Sequence, residues 1–404
     1  MKLGDLISAP NILLPKQGVD LTKFAVVACD QFTSQPQYWQ ELDQLVGSCP
    51  SSLRLIFPEA YLGSVNHDQY IASINDNIAL YLRESILRPL GPGYILVERS
   101  TPETPRRLGL MISIDLEQYS YEPGNDAPIR ASEATIVERI PPRLKIREHA
   151  PIELPHVLVL FEDKAGFIIE SLYRKRSNFH LVYDFELNQH GGHLRGYHIT
   201  NTMLVEQMFE DLFLGCDLKF IVGDGNHSLA TAKAHWDKIK RGLSEAEQQN
   251  HPARFSLVEA INLYDEGLSF EPIHRVVFNT DTDFIPGLKA KLSGPIMGHL
   301  YTKDRGQTDL LLPRSSPQAY EIVQRYIDDY IRSHPRAEVD YIHGISDLKQ
   351  ITDRYFDAVG IIMPALTKDD VFSYLARGVV LPRKCFSMGQ AHEKRYYLES
   401  KLIK

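Results

Sequence analysis

The stretch that most constrains this chain runs from Lys219 to Lys233, Lys-Phe-Ile-Val-Gly-Asp-Gly-Asn-His-Ser-Leu-Ala-Thr-Ala-Lys. Phe220, Ile221 and Val222 make a short β-favouring core that runs into Gly223-Asp224-Gly225-Asn226-His227, after which the composition turns helical. That order predicts a strand, a glycine-bounded turn and a helix start. Glycines let backbone N–H groups come close to a ligand, and the first turn of a helix carries the positive end of its dipole, so an anion is favoured there. Asp224 and His227 add an acid/base or metal-binding pair beside that place. The same residues also suit an ordinary connection, in which Asp224-Gly225-Asn226 makes a tight turn and Ser228 caps the helix. The residues of the turn leave both readings open.

Beyond the turn, Leu229, Ala232, Trp236 and Ile239 fall on one helical stripe, which fixes the helix against a core and aims its N-terminus at the Asp224–His227 turn. Lys233 lies within two turns of that N-terminus, near enough to contribute charge, although a surface lysine is the ordinary reading.

A chain of 404 residues is long enough for two or three domains or one elaborated unit. A hydrophobic content of 43% without any low-complexity tract indicates an ordered globular protein. The net charge of −8 argues against a primary role in gripping nucleic acid, which needs a surplus of Lys and Arg on the contact face. Four cysteines without a Cys-x-x-Cys pair suggest neither a disulfide framework nor a zinc ribbon and suit a reducing compartment. Without a signal-peptide core or a run of about eighteen apolar residues, the expectation is a soluble cytoplasmic protein with no membrane partner.

Other stretches offer candidates of their own. Phe24-Ala-Val-Val-Ala28 reads as a buried strand ending at Cys29-Asp30, and a carboxylate at the C-terminal edge of a sheet is a common place for ligand contact. A cap leading into the next helix is the competing reading of Asp30. Asn66 and the spacing of Ile71, Ile74, Ile78 and Leu82 predict a capped amphipathic helix, and strands at 94–98 and 108–114 flank a proline-rich turn, as in a hairpin. Within 129–148, five bases (Arg130, Arg139, Arg143, Lys145, Arg147) stand against three acids (Glu133, Glu138, Glu148). If this segment is a strand, Arg143, Lys145 and Arg147 alternate with Leu144 and Ile146 and share one face. Such a row can hold a phosphate chain, or be the solvated face of an edge strand. His190, His193 and His198 surround Gly191-Gly192, and their spacing does not put two histidines on one helical face, so a loop or hairpin tip is expected rather than a metal site. His274 and Arg275 are expected just before a strand, where they can contact substrate. The C-terminal Leu381-Pro-Arg-Lys-Cys-Phe-Ser387 carries two adjacent bases that can return to the site.

Several of these segments together resemble one family. Ile129-Arg-Ala-Ser-Glu-Ala-Thr135, Glu138-Arg-Ile-Pro-Pro-Arg143, Glu153-Leu-Pro-His156, Gly223-Asp-Gly-Asn-His-Ser-Leu-Ala-Thr-Ala-Lys233 and Pro272-Ile-His-Arg-Val276-Val277 are similar to the bacterial and archaeal family called domain of unknown function 1015. The turn resembles the Asp-Gly-His-x-Arg turn of the ParB/sulfiredoxin group of nucleotide-binding proteins, which has kinases of free serine among its relatives. The resemblance implies an α/β (α+β) fold with a mixed sheet, a ParB/sulfiredoxin-like nucleotide-binding core elaborated by N- and C-terminal segments. One family unit over 1–404 is expected, with sub-parts at 1–120, 121–310 and 311–404.

It also implies a kinase that uses ATP (or ADP) and Mg²⁺ on a small-molecule hydroxyl, L-serine first. Asp224 becomes the catalytic or metal-binding carboxylate. Gly223, Gly225, Asn226, His227 and Ser228 become the phosphate cradle, with Asp30 and Glu133 as further acid/base candidates and Arg130, His274 and Arg275 toward the substrate. Where the shorter motif ends in Arg this chain has Ser228, so positive charge must come from elsewhere, and Arg143, Lys145, Arg147, Lys233 and Arg275 are the candidates. A nucleotide-binding regulatory protein without phosphotransfer and a phosphohydrolase with water as nucleophile are the rival readings.

Overall fold

The computed structural model describes residues 6–133, 135 and 140–404, so Glu138 and Arg139 of the basic segment lie outside the described residues. The chain forms two compact units. The first comprises Met1–Ala131, Thr135–Leu268 and Gln390–Lys404, and the second Ser132–Ala134 with Ser269–Gly389. The division differs from sub-parts at 120 and 310 because the last fifteen residues return to the first unit as strands, a pairing no local pattern encodes.

The first unit is built on a mixed sheet whose strands follow the order 180–186, 193–199, 94–100, 107–115, 255–262, 158–161, 220–224, 129–131 and 119–120. Most neighbours are antiparallel, but Leu158–Phe161 runs parallel to Phe255–Asn262, and Ile129–Ala131 runs parallel to both Phe220–Asp224 and Tyr119–Ser120. Alternation along the strands sends apolar side chains to both faces. Ile95, Val97, Met111 and Leu257 join one core, while Tyr94, Leu96, Leu110, Ile112, Val258 and Ala260 join another. The first core is covered by the N-terminal helices Pro36–Val46 and His67–Arg83, through Trp39, Leu42, Ile71, Ile74 and Ile78. Asn66 caps the second of these by accepting from the Gln69 N–H at 3.2 Å. Across the sheet lie the helices Thr202–Leu212 and Asn226–Ile239, anchored by Val205, Phe209, Leu229, Ala232 and Trp236. Two smaller sheets complete the unit. One joins Leu87–Pro92, Asn11–Pro15, Ser400–Leu402 and Ile152–Glu153; the other pairs Val26–Val27 with Tyr396–Tyr397.

The second unit is an antiparallel sheet of order 306–312, 296–302, 359–362, 270–278 and 338–343, with Phe386–Met388 added to one end of 270–278. The amphipathic helix Ser316–Ser333 buries Tyr320, Val323 and Ile327. Among the described residues no helix is long and apolar enough to cross a membrane.

Candidate functional site

The Phe220–Asp224 strand is held at its root by the fully buried Phe220, Ile221 and Val222. It pairs with Leu158–Phe161 through a register irregularity beside the Leu158–Asp224 pair, which re-aims the chain where the carboxylate emerges. Gly225 follows at φ +82° as the N-cap of Asn226–Ile239. A Cβ there would lie 3.0 Å from the Val157 Cα, so both the backbone conformation and the space favour glycine. Ser228 is not the cap: the helix has already begun at Asn226, and Ser228 stands in its first turn with His227. The half-buried Asp224 accepts the Gly225 N–H at 2.9 Å through Oδ1, and its Oδ2 is 3.1 Å from the Lys394 Nζ.

Asp30 reaches the same neighbourhood through tertiary pairing. Val27 lies opposite Tyr396, and the Ala28 N–H donates to the Arg395 carbonyl at 2.9 Å, so Cys29-Asp30 runs alongside Lys394. Asp30 Oδ1 accepts from the Gln31 amide at 3.0 Å, and its Oδ2 faces the His156 Nε2 at 3.9 Å. His156 Nδ1 is 2.6 Å from the Tyr397 hydroxyl, which also accepts the Cys29 N–H at 3.2 Å. Burial by itself would raise the Asp30 carboxyl, but His156, the Gln31 hydrogen bond and Lys394 outweigh it and hold the group below its ordinary value. Burial, reinforced by Asp30, pushes the Cys29 thiol up to about 12, which makes it inert as a thiolate near neutrality. Two carboxylates, one ammonium and one imidazole thus meet at the opening of a helix N-terminus.

The remaining candidates are placed differently. Arg143, Lys145 and Arg147 do not form a strand row, because Ile140–Arg147 is a helix. Prolines 141 and 142 sit in its first turn, where a missing N–H costs nothing, and about 100° per residue turns Lys145 away from Arg143 and Arg147. Each base meets a carboxylate: Arg143 pairs with Glu59, Lys145 with Asp68 at 2.6 Å and Arg147 with Glu153 at 2.6 Å. Arg143 stands closest to the site, since the Glu59 N–H donates to the Cys29 carbonyl at 2.8 Å. Lys233 pairs with Asp237, one turn further along its own helix, at 2.9 Å.

Arg130 is buried and donates to the Ala127 carbonyl at 2.7 Å. Glu133, His274 and Arg275 belong to the second unit. Glu133 bridges Leu381 there. His274 and Arg275 lie inside the Phe270–Phe278 strand rather than before it, and both are buried. His274 Nδ1 accepts the Met363 N–H at 3.1 Å, and burial followed by Arg275 lowers its pKa to about 4. Arg275 stacks on Tyr320 and Tyr341, with its guanidinium carbon 4.9 and 5.3 Å from the ring centroids. Arg383 is likewise engaged in that unit, by the Tyr341 hydroxyl at 2.9 Å and Asp328 at 3.0 Å. The hairpin of 180–186 and 193–199 places Gly191-Gly192 at its tip, with Gln189 and His190 at positive φ.

Sequence reasoning missed His156, Tyr397 and Lys394. His156 stood in the Glu153-Leu-Pro-His segment without being assigned a role. Lys394 carries no local signal, since only the pairing of Tyr396–Tyr397 with Val26–Val27 brings it to the turn.

Fold and site together define a mixed α/β protein in which a strand, a glycine turn and a helix present paired carboxylates with a lysine and a histidine. The chain belongs to the family described as Protein of unknown function (DUF1015), whose model matches residues 13–333. Among solved structures it is similar to a conserved hypothetical protein from Pyrococcus furiosus, at 14% identity over 73% of this chain and 95% of that chain, with a TM-score of 0.37. It is also similar to a free serine kinase in complex with AMP, at 11% identity over 73% and 91% of the two chains, with a TM-score of 0.39. A third likeness is to SbnI with C-terminal truncation from Staphylococcus aureus, at 10% identity over 69% and 83%, with a TM-score of 0.37. No curated protein matches the chain.

Proposed function

We propose that this chain is a small-molecule kinase that transfers the γ-phosphoryl group of ATP to a free hydroxyl, that of L-serine first. The observation that carries the reading is the meeting of Asp30, Asp224, His156 and Lys394 at the N-terminus of the Asn226–Ile239 helix. Phosphoryl transfer needs in-line positioning, charge neutralisation and a carboxylate for the hydroxyl proton. In the proposed step the acceptor oxygen forms a bond to the γ-phosphorus as the bond to the β–γ bridging oxygen breaks, and ADP leaves with that electron pair. Asp30 takes the hydroxyl proton; the groups that hold its pKa down keep it ionised and ready near neutral pH. The backbone at Gly223, Gly225, Asn226 and Ser228 and the side chain of His227 cradle the phosphates.

Mg²⁺ is ordinarily held by one or two carboxylates together with phosphate oxygens. Asp224, half-buried beside a helix N-terminus, suits that role, and bound Mg²⁺ would neutralise phosphate charge there. Serine as the acceptor rests on the resemblance of the glycine turn to that of free serine kinases.

The test is to incubate the protein with Mg-ATP and L-serine and to follow phosphorus NMR. A serine-dependent phosphoserine signal is expected, reduced at least about a hundredfold in Asp30→Asn and in Asp224→Asn with folding retained. Phosphate release without any acceptor would instead identify a phosphohydrolase, and nucleotide binding without turnover a regulatory protein.

A further inference from the structure

The kinase reading leaves one charge unaccounted for. The turn has Ser228 where an arginine would complete the shorter motif, and Arg143, Lys145, Arg147, Lys233 and Arg275 are each engaged with other groups. Among the described residues, Lys394 is a cation that stands at the turn, 3.1 Å from Asp224 Oδ2 and only 9% exposed. It lies beyond the residues 13–333 that the family model matches.

Its placement is built rather than incidental. Arg99, 3% exposed, donates from Nη1 to the carbonyls of Glu393 at 2.8 Å and Lys394 at 2.6 Å, and from Nη2 to that of His392 at 2.7 Å. Behind Lys394, Arg395 is clamped between Glu259 and Glu399. The backbone that carries the ammonium is therefore fixed on both sides, which lowers the entropy lost when the side chain grips an anion. An ammonium can exchange one anionic partner for another within reach, and a phosphate entering at the helix N-terminus meets Lys394 where it now meets Asp224.

We infer that Lys394 is the phosphate-binding cation that stands in for the missing arginine, and that nucleotide binding moves it from Asp224 to a phosphate, releasing the carboxylate for Mg²⁺. The inference rests on the nucleotide-binding part of the proposed function and not on phosphotransfer.

The test is titration calorimetry of ADP in Mg²⁺ buffer against the full chain and against Lys394→Met and Lys394→Arg, at two or more KCl concentrations. Lys394→Met is expected to weaken ADP about tenfold or more, with Lys394→Arg within about threefold of the unaltered chain. The dependence of the dissociation constant on salt should also flatten in Lys394→Met, a readout that a merely structural role would not move. Circular dichroism melts identify a variant that fails to fold, in which case the Lys394→Arg affinity and the salt slope of the unaltered chain decide. Equal ADP affinity and equal salt slope in Lys394→Met would overturn the inference while leaving the kinase reading intact. ADP binding that depends on Lys394 in a protein without serine turnover would support the inference and sink the kinase reading. No ADP binding by the unaltered chain would overturn both.

Discussion

Gly225 stands at φ +82° between Asp224 and the first turn of its helix, and the space a Cβ would fill is closed by Val157. Gly225→Ala is expected to cost about 1–2 kcal/mol from the left-handed backbone alone. Displacement of Val157 adds to that, because it moves the strand that also brings His156 to Asp30. Urea unfolding should show a lower midpoint at an unchanged slope, and an unaltered midpoint would remove the steric argument. At this scale the sequence was readable where one residue type answers one local demand: glycine at the turn, Asn66 at a helix cap. It was unreadable for side chains whose partners lie far along the chain. Arg275 resembled a substrate-facing base, yet it is buried against Tyr320 and Tyr341, aromatic faces that compensate its desolvation.

The helix Asn226–Ile239 carries a titratable device on its buried side. His235 is 3% exposed and its Nδ1 lacks a hydrogen-bond partner. Burial first, then the facing Arg147, Lys404 and Lys238 against an opposing Glu148, lower its pKa from 6.5 to about 4. The unfolded chain therefore binds the His235 proton more readily than the folded one between those values. The stability this neutral imidazole contributes is complete above pH 6.5 and is lost as pH falls toward about 4. The unfolding temperature of the chain should fall over that window, and in His235→Gln the fall should be shallower; parallel profiles would show that His235 does not contribute.

Element type followed from local pattern where the period was unambiguous, as in the helix His67–Arg83 and the strands 94–100 and 107–115. It did not for Ile140–Arg147, because alternating bases and aliphatics satisfy a period of two. Its two prolines suit a first helical turn.

In the first unit, the closing segment Gln390–Lys404 does more than end the chain. It supplies strands to two small sheets, accepts three hydrogen bonds from Arg99, forms an ion pair with Glu259 through Arg395, and delivers Lys394 and Tyr397 to the site. Arg99 also donates to the Gly191 carbonyl, at 2.8 Å from Nη2, so one buried guanidinium ties a hairpin tip to this segment. Arg99→Met leaves several buried carbonyls without donors, each worth about 1–3 kcal/mol. A large drop in unfolding temperature is expected, with weaker ADP binding in whatever fraction remains folded, measured by calorimetry on both counts. A variant with unchanged stability would show that the segment docks without Arg99.

What the sequence by itself determined is local: a strand, a glycine turn and a helix at Phe220–Ile239, capped amphipathic helices, and a mixed α/β character. Such features are written in contiguous residues, through turn chemistry and periodicity, so no distant partner is needed to read them. Asp224 and Asp30 were legible as candidates for the same reason, each being a carboxylate at the end of a short apolar run. Only the tertiary structure decided that they meet, and that His156 and Lys394 join them. That meeting depends on Val26–Val27 pairing with Tyr396–Tyr397, and strand pairing across most of a chain is set by the packing of the whole core rather than by the residues that pair.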